Sequence, residues 1–270
     1  MTSTSDNRSS NGGLPTRLLA AVADVTPQGW FHPVTARLHR RAEPEMRSII
    51  ERCDPSGCAV DIGAWYGPWT YWLSKRVERV ESFEPNPKVA AALRAGVKSN
   101  VTVHGEALSD VAGDAELVLQ TLGTGSEGTA SIVPGTEGAA SIHVRTARLD
   151  DFGFDDVRFV KIDVEGHEHA VLRGAARTLE SHRPVIFVEL EERMADIAAT
   201  FELLGALGYS GHVVMDGRWQ PTTASDLAAW QRAFHQTHEP QSYMQSVIHQ
   251  SGYVNDVAFV HPASTWSPVT

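Results

Sequence analysis

The feature that most constrains the fold of this chain is the alternation of short apolar runs with amphipathic segments between residues 58 and 215. Apolar runs bounded by turn residues are typical of buried strands, and apolar spacings of three to four residues are typical of helices. In the first unit, the apolar run Cys58–Ile62 ends at a turn, Gly63–Gly67, and helical spacing follows. Elsewhere the same patterns predict helices over residues 14–25 and 168–180 and strands over residues 116–121 and 143–149. Such alternation predicts an α/β fold with a doubly wound, mostly parallel sheet covered by helices on both faces.

The rest of the chain divides where its composition changes. Residues 1–13 are rich in Ser, Asn and Gly, which predicts a mobile tail. Residues 14–55 show helical spacing interrupted by Pro and Gly, which predicts N-terminal helices packed on the main domain. Residues 56–270 are then expected to form that domain, with a long loop or a hairpin outside the core over residues 123–141, where Gly, Ser and Thr collect.

Charge and apolar patterning exclude several classes of protein. The 33 acidic and 23 basic residues give a net charge of -10, whereas nucleic-acid binders concentrate Lys and Arg. No stretch approaches the roughly 18 consecutive apolar residues of a membrane span, and no secretory signal precedes residue 14. The two cysteines, Cys53 and Cys58, are too few for a disulfide framework. We expect a soluble, cytoplasmic protein without nucleic-acid or membrane partners.

Two predicted strand ends suggest a nucleoside site. The first carries Asp61 and the turn that begins at Gly63, but Trp65 and Pro68 occupy two glycine positions of the dinucleotide fingerprint. The second carries Glu84, 23 residues after Asp61, near the offset at which an acidic residue binds ribose hydroxyls. The pair predicts an adenosine-containing ligand without a pyrophosphate. Alternatively, the glycines serve only the backbone turn.

A third strand end concentrates ionisable residues. Lys161, Asp163 and Glu165 alternate along one predicted face, and His167 follows them. Because the next strand ends at Glu189, we expect Asp163 and Glu189 to face one cleft, where they bind a substrate or a hard divalent cation. The alternative for Glu165 is a cap on the following helix.

These segments together, in order and spacing, resemble the FkbM-type family of S-adenosylmethionine-dependent methyltransferases. The resemblance spans about residues 58 to 190, and the block Lys161–Glu168 is its most specific part. The matching segments are Asp61–Ala64, Phe83–Pro87, Ala107–Asp110, Leu149–Asp151 and Lys161–Glu168. The resemblance implies a Rossmann-like, class I methyltransferase fold, with S-adenosylmethionine as cofactor.

The resemblance also implies which residues surround the cofactor. The glycine turn would flank its methionine part, Glu84 would hold its ribose and the segment at 106 and 107 would border its adenine. The predicted cofactor-binding residues are Asp61, Gly63, Ala64, Gly67, Glu84, Glu106 and Ala107. Trp65 departs from the family, which commonly has Asn there; it either walls the pocket, stacks on a substrate ring or packs internally.

The implied reaction is methyl transfer to a hydroxyl group, and the resemblance extends to actinobacterial sugar methyltransferases. We expect a sugar or oligosaccharide acceptor, including mannosides. Asp163 and Glu189 would bind the acceptor, directly or through a divalent ion such as Mg2+. His167 would act as the general base, and His143 is a second candidate for that role.

Two alternatives stay open at this point. One is an O-methyltransferase that acts on a polyketide or another small hydroxylated metabolite. The other is a catalytically silent, nucleoside-binding module built on the same sheet. The oligomeric state also stays open between a monomer and a homodimer.

Overall fold

A computed structural model describes residues 28–42, 44–119, 130–131, 140–237, 253–264 and 266. The predicted tail, the predicted helix over residues 14–25, most of the predicted loop over residues 123–141 and residues 238–252 lie outside the described residues. Among the helices that the structure describes, none is long and apolar enough to cross a bilayer. Cys53 and Cys58 are buried free thiols.

Helices and strands alternate through the described chain, much as the sequence predicts. In chain order they are α1 (Gln28–Ala42), α2 (Pro44–Arg52), β1 (Cys58–Ile62), α3 (Pro68–Leu73), β2 (Arg79–Phe83), α4 (Pro87–Gly96), β3 (Val101–His104), β4 (Ala107–Leu108), β5 (Gly113–Leu119), β6 (Ala130–Ser131), β7 (Ala140–Ala147), β8 (Val157–Ile162), α5 (Glu168–Gly174), α6 (Ala176–His182), β9 (Val185–Glu189), α7 (Ile197–Ala206), β10 (Ser210–Met215), β11 (Arg218–Thr222), α8 (Ala224–Thr237) and β12 (Asp256–Val260).

The main sheet has eight described strands in the order β11-β10-β12-β9-β8-β1-β2-β3. The five strands from β9 to β3 pair in parallel, and β10, β11 and β12 pair in antiparallel. This arrangement confirms the predicted α/β fold with a doubly wound, mostly parallel sheet of the class I methyltransferase type. The strand order reverses at β1, which lies between β2 and β8, and open sheets of this kind bind ligands at that point.

Alternation along β1 places its side chains on both faces of the sheet. Val60 and Ile62 belong to one apolar cluster, which includes Leu172 of α5 and Leu204 of α7. Ala59 belongs to the other, which includes Met46 of α2 and other residues of α2 and α3. Because successive residues of a strand point to opposite faces, both layers are anchored on one buried strand.

Strands β4 to β7 form a separate sheet in the order β4-β7-β5-β6, which the sequence did not predict. The predicted strands over 116–121 and 143–149 correspond to β5 and β7, but they pair with each other in antiparallel. Among the described residues, Ala107, Leu117 and Val144 form the buried cluster of this sheet. This second sheet therefore has one buried face and one exposed face, as antiparallel sheets often do.

Two other local expectations differ from the structure. The predicted helix over residues 168–180 is two helices, α5 and α6, which meet at Ala175. Strand β11 was not predicted, although Asp216 and Gly217 both adopt a positive φ between β10 and β11. An Asp-Gly pair is a strong signal for a tight hairpin, so the sequence did contain the information.

Helix α1 is fixed to the main domain by side-chain contacts with carbonyl oxygens. The two ring nitrogens of His32 lie 2.7 Å from the Gly67 oxygen and 3.1 Å from the Gly96 oxygen. The indole Nε1 of Trp72 donates to the Ala36 oxygen at 2.9 Å. The predicted N-terminal helix thus packs against α3 and α4, beside the glycine turn.

Glycine is required at position 63 because the backbone that follows β1 lies very close to the backbone that follows β8. Gly63 has a φ of 75°, and a Cβ at this position would collide with the carbonyl oxygen of Asp163. Gly153 has a similar φ of 62°, but a Cβ there would meet nothing within 4 Å. The two glycines share the conformational requirement and differ in the available space.

We therefore expect Gly63→Ala to lower the free energy of unfolding by more than about 3 kcal/mol, because it adds a steric clash to an unfavourable φ. Gly153→Ala, the matched control, should cost only about 1 kcal/mol. Urea unfolding of both variants measures the difference. Equal losses would show that the approach of the two strand ends imposes no constraint.

Candidate active site

A cleft of about 990 Å3, including its open mouth, lies at the carboxyl ends of β1, β2, β8 and β9. The cleft straddles the point where the strand order reverses, as the fold predicts. Helix α1 and the second sheet also contribute, through His39 and Leu117.

Most of the predicted site residues line this one cleft. They are Asp61, Gly63, Ala64, Glu84, Glu106, Ala107, Asp163 and Glu189. The parallel register explains why, because Ile62 is aligned with Phe83 on one side and with Ile162 on the other. Ile162 is in turn aligned with Val188, so the next residues, Asp163 and Glu189, reach the same edge. Gly67 and His167 are absent from the lining.

Gly67 has a role in the backbone turn. It precedes α3 with a φ of 78°, and its oxygen lies 2.7 Å from the Nε2 atom of His32. A Cβ on this residue would collide with Leu93 and His32. Its position therefore supports packing of α1 and α4 rather than a contact with the cofactor.

His167 is not brought together with Asp163 and Glu189 in the cleft. Its Nε2 atom lies 2.9 Å from the Ser109 Oγ atom, and burial lowers the pKa of its imidazole. His143, the second candidate, is exposed on β7, 3.8 Å from Glu116. Neither position supports a role as the base.

Asp61 presents an unpaired oxygen within the protein interior. Its side chain is fully buried, and its Oδ2 atom accepts a hydrogen bond from the Thr70 hydroxyl at 2.5 Å. Its Oδ1 atom is buried without a hydrogen-bond partner, and burial raises the pKa of the carboxyl group. Since a buried oxygen of this kind is costly unless paired, it fits a ligand that donates a hydrogen bond, such as an amine.

Glu84 is held in place by two backbone N–H groups. Its Oε2 atom accepts from the Trp65 nitrogen and its Oε1 atom from the Asn86 nitrogen, both at 2.8 Å. A carboxylate has about four acceptor sites, so each oxygen can still accept from a hydroxyl of a ribose. Burial raises the pKa of this carboxyl group to about 7, against the two hydrogen bonds, which lower it.

Lys161 is a buried ammonium among the carboxylates at the base of the cleft. Its Nζ atom lies 2.6 Å from the Asp163 Oδ2 atom, and its side chain is 5% exposed. The pKa of Lys161 is raised by Asp163, Asp61 and Glu189, although burial acts in the opposite direction. Glu189 accepts a hydrogen bond at 2.7 Å from Asn255, and burial raises its pKa well above the usual value.

The donor set does not fit the divalent metal that was one expectation for Asp163 and Glu189. Asp163 is already ion-paired with Lys161. Within the described part of the chain, no group of three or more His, Cys, Asp or Glu side chains is arranged to hold a metal ion. A cation at Asp163 would have to displace the ammonium of Lys161, so this arrangement does not favour a metal.

Three ionisable residues of the cleft were not predicted as site residues: His39, Lys161 and Glu165. Lys161 and Glu165 belong to the charged block after β8, and that concentration of charge was the available signal. Glu165 has a φ of 50°, and burial together with nearby Asp163 raises its pKa to about 8. His39 lies on α1, outside the matching segments, so only the fold brings it to the cleft.

Comparison with known proteins identifies the family. Residues 59–210 match the family described as the methyltransferase FkbM domain, which is more than half of the chain. The chain belongs to the FkbM methyltransferase family. The matched region contains β1 to β9, and with them the predicted site residues of the cleft.

Solved structures of methyltransferases are also similar to this chain. The methyltransferase FkbM from Methylobacillus flagellatus KT is 23% identical, with a TM-score of 0.36, over 50% of this chain and 33% of its own. The precorrin-6y C5,15-methyltransferase from Geobacter metallireducens is 15% identical, with a TM-score of 0.40, and the similarity covers 80% of this chain and 84% of that protein. DhpI, solved as a complex with SAH, is 15% identical, with a TM-score of 0.41, and the similarity covers 74% of this chain and 88% of that protein. No curated protein sequence matches the chain.

The cleft residues fit the cofactor of this family, S-adenosylmethionine. The unpaired oxygen of Asp61 suits its amine, and the remaining acceptor sites of Glu84 suit its ribose hydroxyls. Both groups lie at strand ends on either side of the turn at Gly63.

The raised pKa of Glu84 predicts a pH dependence of stability. The carboxyl group has a pKa of about 7 in the folded protein and about 4.5 in the unfolded chain. Its contribution to the free energy of unfolding is therefore fully present below pH 4.5 and is lost as the pH rises through 7. The loss is of the order of 3 kcal/mol. Glu84→Gln should therefore show a smaller fall in the free energy of unfolding between pH 5 and pH 8 than the wild type.

Urea unfolding at several pH values measures these slopes. Glu116→Gln is the control, because Glu116 lies exposed on the second sheet. Identical slopes for wild type and Glu84→Gln would contradict the burial of an ionisable group at this strand end.

Proposed function

We propose that this chain is an S-adenosylmethionine-dependent O-methyltransferase that acts on a hydroxyl of a sugar or oligosaccharide, with a mannoside as one acceptor. The observation that carries the proposal is the placement of Asp163 and Glu189 on the lining of the cleft that also contains Glu84. One side of the cleft then suits a nucleoside, and adjacent strand ends suit a hydroxyl group.

Methyl transfer to an alcohol requires alignment and removal of a proton. The cofactor, when bound, supplies an electrophilic methyl group on a positively charged sulfur. Asp163 would accept a hydrogen bond from the acceptor hydroxyl and take its proton while the new O–C bond forms and the bond from that carbon to sulfur breaks, which would leave a neutral thioether. The rate of such a reaction depends on the positioning of the two reactants and on a general base.

Glu189 would orient the acceptor. Its carboxyl group is held by Asn255, and its raised pKa favours the protonated form, which can both donate and accept a hydrogen bond. The different surroundings of Asp163 and Glu189, one ion-paired and one not, suit the two carboxyl groups to different roles.

The acidic lining supports a polyhydroxylated acceptor. Six acidic residues line the cleft, namely Asp61, Glu84, Glu106, Asp163, Glu165 and Glu189. Carboxylates accept hydrogen bonds from hydroxyl groups and repel anions, so a neutral polyol suits the site better than a phosphorylated compound does. A polyketide or other small hydroxylated metabolite is the alternative acceptor.

The acceptor class is tested by transfer of a radiolabelled methyl group to a panel of compounds. The panel contains mannosides, other sugars, phosphorylated sugars and simple phenols. Preferential methylation of a neutral sugar supports the proposal, and methylation of phenols alone supports the alternative. Binding of the cofactor product without any transfer to the panel would favour the catalytically silent module.

Isosteric changes separate the role of each carboxyl group. Asp163→Asn should lower kcat by at least about 100-fold, because a general base typically contributes 10²–10⁴-fold. Glu189→Gln should raise the KM for the acceptor with a smaller loss of kcat. Both variants should bind S-adenosylhomocysteine within about threefold of the wild type, as measured by calorimetry.

His167→Gln is the matched control, since His167 lies outside the lining of the cleft. We expect its turnover to stay within about fivefold of the wild type. Near-normal kcat in Asp163→Asn, or a 100-fold loss in His167→Gln alone, would reverse the assignment.

A further inference from the structure

The indole of Trp65 carries a polar group that has no partner within the described part of the protein. Trp65 lines the cleft, and its Nε1 atom is buried without a hydrogen-bond partner. Buried N–H groups in native proteins are almost always paired, with protein, water or a ligand. An unpaired N–H group on a residue that lines a ligand site therefore indicates an acceptor on the ligand.

The position of this ring is fixed from several sides. Trp65 adopts a φ of 49°, and its backbone nitrogen donates to the Glu84 Oε2 atom at 2.8 Å. The ring centroid lies 5.4 Å from that of His39 and 5.1 Å from that of Tyr66, both in edge-on contacts. Because His39 belongs to α1, the docked N-terminal helix holds the indole in place.

The backbone of the glycine turn offers few N–H groups to an anion. The nitrogens of Gly63 and Ala64 donate to the Phe83 oxygen at 3.1 and 2.9 Å. The Gly67 nitrogen donates to the Ala64 oxygen at 2.7 Å, and the Trp65 nitrogen is bound to Glu84. An anionic group in this part of the cleft must therefore find a side-chain donor.

The charges of the lining restrict where such a group can lie. Six carboxyl groups line the cleft, and among the described lining residues four side chains carry N–H groups: His39, Trp65, Trp69 and Lys161. Lys161 is paired with Asp163, and of these four donors the Trp65 Nε1 atom is the one that lies buried without a hydrogen-bond partner among the described residues. The Trp65 N–H, in the corner beside His39, is therefore the donor that suits a carboxylate.

We propose that the Trp65 Nε1–H donates a hydrogen bond to the α-carboxylate of the amino-acid part of the bound cofactor, at the corner that it forms with His39. This inference rests on the proposed function, because it takes S-adenosylmethionine as the ligand. The acidic lining then receives the cationic groups of the ligand, and the corner receives its anionic group.

The test compares two ligands that differ in this carboxylate. S-adenosylhomocysteine carries it, and decarboxylated S-adenosylhomocysteine keeps the amine and lacks it. Trp65→Phe, which retains a ring and removes the N–H, should weaken binding of the first ligand at least about tenfold. It should change binding of the second by less than about twofold.

Trp219→Phe is the matched control, because its Nε1 donates to the Ser48 Oγ atom at 2.9 Å and the residue does not line the cleft. It should change the dissociation constant of neither ligand, as measured by calorimetry. Equal weakening of both ligands by Trp65→Phe would overturn the assignment to the carboxylate, and so would unchanged binding of both.

A measurement on the wild type does not depend on the folding of any variant. The chain has seven tryptophans, and their indole N–H signals can be observed by 15N NMR. One signal should shift downfield with S-adenosylhomocysteine and not with the decarboxylated ligand. The absence of any signal that distinguishes the ligands would overturn the proposal. If the wild type binds neither ligand, the proposed function itself fails.

Discussion

The site depends on the close approach of two strand ends, β1 and β8, at the point where the sheet reverses its strand order. The Asp163 nitrogen donates to the Ile62 oxygen at 3.0 Å, and Gly63 leaves no Cβ between the two backbones. This contact sets Asp61 and Asp163 on neighbouring strands of one edge. Parallel pairing then adds Glu84 on one side and Glu189 on the other.

The acidic groups at this edge repel one another, and neighbouring side chains compensate only part of that repulsion. Lys161 is paired with Asp163, and Thr70 satisfies one oxygen of Asp61. Burial raises the pKa of Asp61, Glu84, Glu165 and Glu189, so the free protein favours protons on several of them. A ligand with cationic groups supplies the missing charge, and the cofactor of the FkbM family carries both a sulfonium and an amine.

Most of the residues predicted for the cofactor line one cleft in the structure, because each follows a recognisable strand. Strand periodicity located the ends of β1, β2, β8 and β9, and the parallel arrangement brought those ends together. Gly67 and His167 show the limit of this reasoning. A residue one turn beyond a strand end can face another element, and Gly67 contacts His32 while His167 contacts Ser109.

What the sequence did not predict depends on contacts between distant segments. His39 reaches the cleft only because α1 docks on α3 and α4 through His32 and Trp72. The second sheet arises from antiparallel pairing of β5 with β7, whereas local patterns identified only the single strands. The unpaired indole of Trp65 is likewise a property of packing, since a sequence does not show which donors find a partner.

The central claim is that the cleft binds an adenosine-containing sulfonium cofactor and not a dinucleotide. Calorimetric titration of the protein with S-adenosylhomocysteine and, separately, with NAD tests it most directly. The account predicts saturable one-to-one binding of S-adenosylhomocysteine, weakened at least about tenfold by Glu84→Ala, and no binding of NAD. Binding of NAD, or no binding of S-adenosylhomocysteine at millimolar concentration, would contradict it.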